Sequence, residues 1–328
     1  MRVDCSRGPL TTNPLDFWIQ HVIFPVQCIG FLTLAITVIY NVLKGRTKHV
    51  ARWSLLFLAI VDVLIFACLV PQSLGTFRAL YENEQFRRFY QLARIRLYAF
   101  SNQLSAVDTS IFLLIIIEIY LRARGSTMTK ALFGGKAVFL CIATAITGAL
   151  MISSFHHFSY SPKIWFNCSD ENGLPTKMFS KITMNSAYMT KDLFIWLHMA
   201  SALLLIFIPT ILVYFLVYRI TRSINSGRTG CDVANEAMEL FSSAEGLLLQ
   251  RKKITVYLPM VAHSFALTHV LSVVPFVWEF FLFHWLGFKG YSITISIMNA
   301  LLICGKIANF GLLYLSCVEM GRNGLLNY

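Results

Sequence analysis

Seven apolar runs, each long enough to cross a membrane, constrain this chain more than any motif in it. A helix rising about 1.5 Å per residue needs about 20 apolar residues to traverse roughly 30 Å of hydrocarbon. The runs fall at about 17–43, 53–76, 97–121, 136–156, 193–219, 254–284 and 291–317. Lipid offers backbone polar groups no partner, so each run must satisfy its own N–H and C=O groups as a helix. The expected fold class is therefore all-α: a seven-transmembrane helix bundle forming one domain over 1–328. Residues 1–16 precede span 1, 17–317 hold the spans, 219–253 form the longest loop and 318–328 a short tail. Composition agrees, with 56% apolar and only 13% charged residues. A soluble domain carries about 25% charged residues. The first run starts at Phe17 and is too long for the apolar core of a signal peptide, so it reads as span 1.

An odd number of spans puts the two termini on opposite sides. With the N-terminus outside, the inner segments hold 15 Lys and Arg and the outer ones 12, a bias of the expected sign. The sequon Asn167-Cys168-Ser169 lies between spans 4 and 5, on the side this topology places outside, where Asn167 is a glycosylation acceptor. The net charge of +12 comes from short segments between apolar runs, where Lys and Arg meet lipid headgroups. No basic stretch is interleaved with aromatics, so nucleic acid is not an expected partner and the lipid bilayer is.

Ionisable groups inside a span cost about 2.5–3.5 kcal/mol each on insertion scales, so those present are informative. Span 2 carries Asp62, span 3 carries Asp108 and, near its inner end, Glu118. Span 6 carries His263, His269 and Glu279, and span 7 carries Lys306 three residues before Asn309, on the same helix face. The eight cysteines contain no CxxC pair and none sits at zinc-ligand spacing to a His. No HExxH, GxSxG or Walker loop is present, and the chain reads as a non-enzyme with neither cofactor nor metal.

The order of several residues resembles the rhodopsin-like (family A) G-protein-coupled receptors. Leu58-Ala59-x-x-Asp62 with Pro71 is similar to their span 2, Pro209 and Pro275 sit mid-span 5 and mid-span 6, and span 7 ends in Lys306-Ile307-Ala308-Asn309-Phe310-Gly311-Leu312-Leu313-Tyr314. The last segment, with Ser264-Phe265-Ala266-Leu267-Thr268-His269 in span 6, is most similar to nematode FMRFamide-type peptide receptors and chemoreceptors. The resemblance implies a switch core of Asp62, Asp108, Lys306, Asn309 and Tyr314, deformable points at Pro209 and Pro275, and a G-protein-facing segment Glu118-Ile119-Tyr120. The sequence also departs from the family. Ile119 stands where the family has Arg, the gap from Asn309 to Tyr314 is one residue longer, and Arg94 lies near the position of the family's span 3 cysteine.

Two expectations follow from the resemblance. The family's disulfide has its loop half in Cys168, and the other cysteine in an outer segment is Cys5, so a Cys5–Cys168 bridge is weighed against two free thiols. The family holds a sodium ion between spans 2, 3 and 7, and here the Lys306 ammonium is expected to replace it, paired with Asp62 and Asp108. For ligand contacts, Trp278 and Glu279 lie one turn beyond Pro275, and Asp170, Glu171 and Asp192 lie in the outer loop. A peptide ending in Arg-Phe-amide would want such a carboxylate beside aromatics. The implied function is a multi-pass plasma-membrane receptor for a neuropeptide-like or small extracellular ligand, coupled to a heterotrimeric G protein. The alternatives are a chemosensory receptor for an environmental small molecule, a signalling-impaired homologue suggested by Ile119, and a transporter or channel.

Overall fold

The structure is a computed structural model that describes residues 18–44, 51–75, 83–124, 128–169, 175–184, 190–225, 244–277 and 283–322, with isolated positions between them. Seven helices in it are long and apolar enough to cross a membrane: Ile19–Leu43, Arg52–Pro71, Leu92–Ala123, Ala137–Ser159, Asp192–Asn225, Lys253–Val274 and Ile297–Met320. They coincide with the seven runs, and the bundle is all-α as expected. We call the end where span 1 begins the entry face, and the opposite end the far face.

Span 3 departs most from its expected bounds. Arg87, Arg88, Arg94 and Arg96 precede 97 and suggest a start there, yet one helix runs without a break from Glu84 to Ala123. The Asn83 side chain caps it by accepting the Phe86 N–H at 3.1 Å. At 40 residues the helix is about 60 Å long, twice the hydrocarbon thickness, so its first turns project beyond the membrane. Arg94 lies half-buried between Tyr90 and Tyr98, its guanidinium 6.0 and 5.8 Å from their ring centroids, and Arg96 is exposed.

Spans 1 and 5 each contain one wide π turn, at Ile19–Ile23 and Leu203–Phe207. Each sits just ahead of a proline, Pro25 and Pro209. Proline has no N–H to give the carbonyl four residues back, and the preceding residue reaches one further: Phe24 N–H donates to Ile19 O and Ile208 N–H to Leu203 O. The irregularity expected at Pro209 is thus a π turn on its N-terminal side. Pro71 and Pro275 lie within the last turns of the span 2 and span 6 helices, Arg52–Leu74 and Ala244–Val277.

Span 3 is the central column. Its Ile111, Ile115, Ile116 and Ile119 are fully buried against Leu55 and Leu58 of span 2, Val213 and Ile220 of span 5, and Ile254 and Leu258 of span 6. Lipid tails are as apolar as these side chains, so close packing rather than escape from water holds the helices together. The outward residues are apolar too, Ile211, Leu140 and Met151 among them. Gly305 of span 7 shows how tightly the bundle closes: a Cβ built on it would lie 2.1 Å from the Thr268 Oγ1 of span 6.

Between spans 4 and 5 the chain forms an antiparallel hairpin, β1 (Tyr160–Ser169) and β2 (Pro175–Met184), which the all-α expectation did not include. Its register runs from Tyr160 opposite Met184 to Cys168 opposite Lys177, with irregularities at Ile164/Phe166 and Cys168/Ser169. The segment is rich in β-formers, with Ile164, Trp165 and Phe166 in β1 and Ile182 and Thr183 in β2.

Candidate functional site

Spans 2, 3, 6 and 7 meet around a charged cluster deep in the bundle. Lys306 Nζ donates to Asp108 Oδ2, forming an ion pair between spans 7 and 3. Asp62 is 2% exposed and lines the same small cavity, of about 10 Å³, with Asp108, Lys306, His269 and Asn309. Its Oδ1 has no hydrogen-bond partner among the described residues. A space of that size admits about one water molecule. Two carboxylates face one ammonium, so when all three groups are ionised the cluster carries one excess negative charge.

Hydroxyl and imidazole groups extend the cluster to span 6. Thr109 Oγ1 and His269 Nε2 lie 2.9 Å apart, and His269 Nδ1 donates to the Phe265 carbonyl at 2.8 Å. Thr109 Oγ1 also donates to Ser105 O at 3.0 Å within its own helix. Asn309 Nδ2 donates to Thr268 Oγ1 at 3.3 Å, and Thr268 Oγ1 donates to Ser264 O at 2.7 Å. The near approach of spans 6 and 7 at Gly305 makes the Asn309–Thr268 bond reachable. Below and beside the charges, Phe112 stacks on Phe265 at 4.4 Å with an interplanar angle of 16°, and Phe31 packs on Phe310 at 5.7 Å. These rings seal the cluster in low dielectric, where each ion pair is strong and each unpaired charge costly.

Asp62, Asp108, Lys306 and Asn309 therefore come together in one place. Tyr314, expected with them, does not: its hydroxyl accepts from Asn41 Nδ2 of span 1 at 3.0 Å. It lies five positions beyond Asn309, and at about 100° per residue that turns it roughly 140° away from the cluster. Pro209 is buried in span 5 and does not line the cavity, and Pro275 falls within the span 6 helix. His269, one of the ionisable groups of span 6, joins the site, as do Thr109, Thr268 and Gly305, which carry no such signal in the sequence.

The segment expected to face a G protein is arranged differently from that expectation. Ile119 is 0% exposed and belongs to the core. Glu118 is 2% exposed and takes two bonds from Arg122, one turn on, at 2.7 and 3.1 Å. The Arg122 side chain is 23% exposed, so it presents a cation near the far face where Ile119 cannot. Tyr120 is half-buried and its hydroxyl accepts from Arg124 Nη1 at 3.1 Å.

Of the expected ligand contacts, Asp192 is exposed in the first turn of span 5, whose start Thr190 caps by accepting the Leu193 N–H at 3.2 Å. Asp170, Glu171, Trp278, Glu279 and Cys5 lie outside the described residues. Asn167 and Cys168 have backbone positions in β1, opposite Met178 and Lys177. Compared with protein-family models and with curated proteins, the sequence matches none.

Proposed function

We propose that this chain is a rhodopsin-like G-protein-coupled receptor, with its N-terminus outside the plasma membrane and a peptide or small extracellular molecule as ligand. The observation that carries the reading is the buried cluster of Asp62, Asp108, Lys306, His269 and Asn309, which ties spans 2, 3, 6 and 7 at one point. Charged groups are expensive in a membrane, and a cluster that serves only stability is often replaceable by apolar residues at no loss. A signalling role gives a reason to keep it. A ligand at the entry face would shift spans 5 and 6 relative to span 3, with the π turn ahead of Pro209 and the proline at 275 as points of low stiffness. The Thr109–His269 contact joins spans 3 and 6 and must rearrange in such a motion. At the far face, the Arg122–Glu118 pair supplies the cation for a heterotrimeric G protein in place of the residue at 119.

The test is G-protein activation in cells expressing the full chain, screened against extracellular peptides and small odorant-like molecules. A ligand that activates the wild type and fails on Lys306→Met, with both chains at equal surface level, supports the reading. Binding without activation would identify a signalling-impaired homologue instead. Ion flux that needs no ligand would replace the receptor by a transporter or channel using the same charges.

A further inference from the structure

The far face carries a second constellation, between spans 2 and 4, that the receptor reading does not use. The span 2 helix opens on Arg52 and Trp53, and the span 4 helix opens one residue after Lys136. The Trp53 and Phe139 rings meet across the two helices at 5.2 Å, with Phe57 edge-on to Phe139 at 6.5 Å. Trp53 is 37% and Phe139 41% exposed, so this ring ledge faces the lipid rather than the core. The Arg52 guanidinium lies 5.3 Å over the Trp53 ring; its Nη2 donates to the Leu43 carbonyl at 3.5 Å, and its Nε is buried with no hydrogen-bond partner among the described residues. Lys136 is exposed one turn before Phe139.

We propose that this ledge is a binding site for an anionic phospholipid, its phosphate held by Arg52 and Lys136 and its first acyl carbons laid on Trp53 and Phe139. Four features converge on that occupant. Arg is weakly hydrated and presents a planar fork to phosphate oxygens, and stacking on Trp53 holds the fork in place. Both helices begin here with no acidic residue in the first turn and no side-chain cap, so each brings the positive end of its dipole to the site. Glu118, which accepts from the Ala51 backbone at this end, is already paired with Arg122. A tryptophan half in lipid at the end of a span sits at headgroup depth, where a phosphate is found. A soluble anion would use the cations alone; the exposed ring floor beside them fits a phosphate that carries hydrocarbon. None of the residues of the charged cluster takes part in this site.

The experiment uses the full-length protein in detergent with phosphatidylglycerol added against a phosphatidylcholine background, read by native mass spectrometry of retained lipid. The wild type is expected to retain phosphatidylglycerol selectively. Arg52→Gln combined with Lys136→Gln is expected to weaken retention roughly tenfold or more. Arg96→Gln, an exposed charge on span 3 toward the entry face, is expected to leave it unchanged. Equal retention by the double variant, or equal loss in Arg96→Gln, overturns the site in favour of diffuse attraction. If the double variant does not fold, Lys136→Gln and Phe139→Ala, both at exposed positions, are measured singly, and retention unchanged in both overturns it too. Inorganic phosphate at millimolar concentration is expected not to displace the lipid; displacement would overturn the role of the ring floor.

Discussion

Gly305 of span 7 and Thr268 of span 6 approach so closely that no side chain fits between them: a Cβ on residue 305 would stand 2.1 Å from the Thr268 Oγ1 and 3.0 Å from its Cβ. The atoms in the way are short and near the backbone, so they cannot swing aside. Gly305→Ala is expected to push spans 6 and 7 apart and destabilise the bundle by about 1–3 kcal/mol, the usual range for overpacking. Gly148 in span 4 has nothing within 4 Å of the corresponding point, so Gly148→Ala is expected to be neutral or mildly stabilising. Thermal melting of both variants in one detergent checks the pair. Equal melting temperatures would mean that the helices yield where the packing says they cannot.

The Lys306–Asp108 pair gives a second expectation. Lys306→Met leaves the Asp108 and Asp62 carboxylates without their ammonium in a buried cavity. Removing one partner of a buried pair costs about 3–5 kcal/mol. The melting temperature should fall clearly, and Asp108→Asn added to Lys306→Met should return part of it by removing the charge left bare. A tethered ammonium also makes a mobile cation unnecessary. Sodium should therefore shift the wild-type melting temperature no more than matched potassium does. A sodium-specific shift would show that the ammonium does not fill the role of an ion.

The sequence made the charges legible and left their companions hidden, for reasons of cost. Asp62, Asp108 and Lys306 stand out because an ionisable group in an apolar run is expensive and rare. Thr109 and Thr268 do not, because a hydroxyl in a membrane helix usually bonds back to its own carbonyls, as both also do here. Gly305 looks like any other helix glycine until the neighbouring span is in place. Helical phase accounts for two further positions. A five-residue step turns Tyr314 from the face of Asn309 onto Asn41, and Ile119 points to the core beside Ile115 and Ile116. The start of span 3 was hidden by its own arginines, which sit on the helix at and beyond its membrane end rather than before it. The hairpin was legible only as an outer segment, since a strand pair too short to span a membrane leaves no long apolar run.

Placing at 119 the arginine found in rhodopsin-like receptors should do harm rather than good. Ile119→Arg would place a guanidinium at a position that is 0% exposed, among isoleucines, where Glu118 is already paired with Arg122. An unpaired buried charge of this kind is expected to cost more than about 3 kcal/mol. The variant should reach the surface poorly and gain no basal signalling. Arg122→Gln is expected to be milder, about 1–3 kcal/mol, because Arg122 is partly solvated while Glu118 is left buried without its cation. Surface expression and melting temperature measured side by side give the ranking. A well-expressed, more active Ile119→Arg would show that residue 119 faces the cytoplasm after all.

The hairpin offers a direct test of which side is which. Asn167 lies in β1 opposite Met178, in the segment joining the end of span 4 to the start of span 5, and that segment shares the entry face with the start of span 1. Glycosylation takes place only on the lumenal side of the secretory pathway, which becomes the outside of the cell. If the N-terminus is outside, the protein expressed in animal cells should lose electrophoretic mobility through a glycan that endoglycosidase removes, and Asn167→Gln should abolish that difference. An epitope tag placed before Met1 should then be reached by antibody on intact cells, since the four spans between the N-terminus and the hairpin commit both to the same side. A tag accessible only after permeabilisation, together with an endoglycosidase-insensitive wild type, would turn the bundle over. The Arg122–Glu118 pair would then face outward and the charged cluster would have to be approached by a ligand from the opposite end.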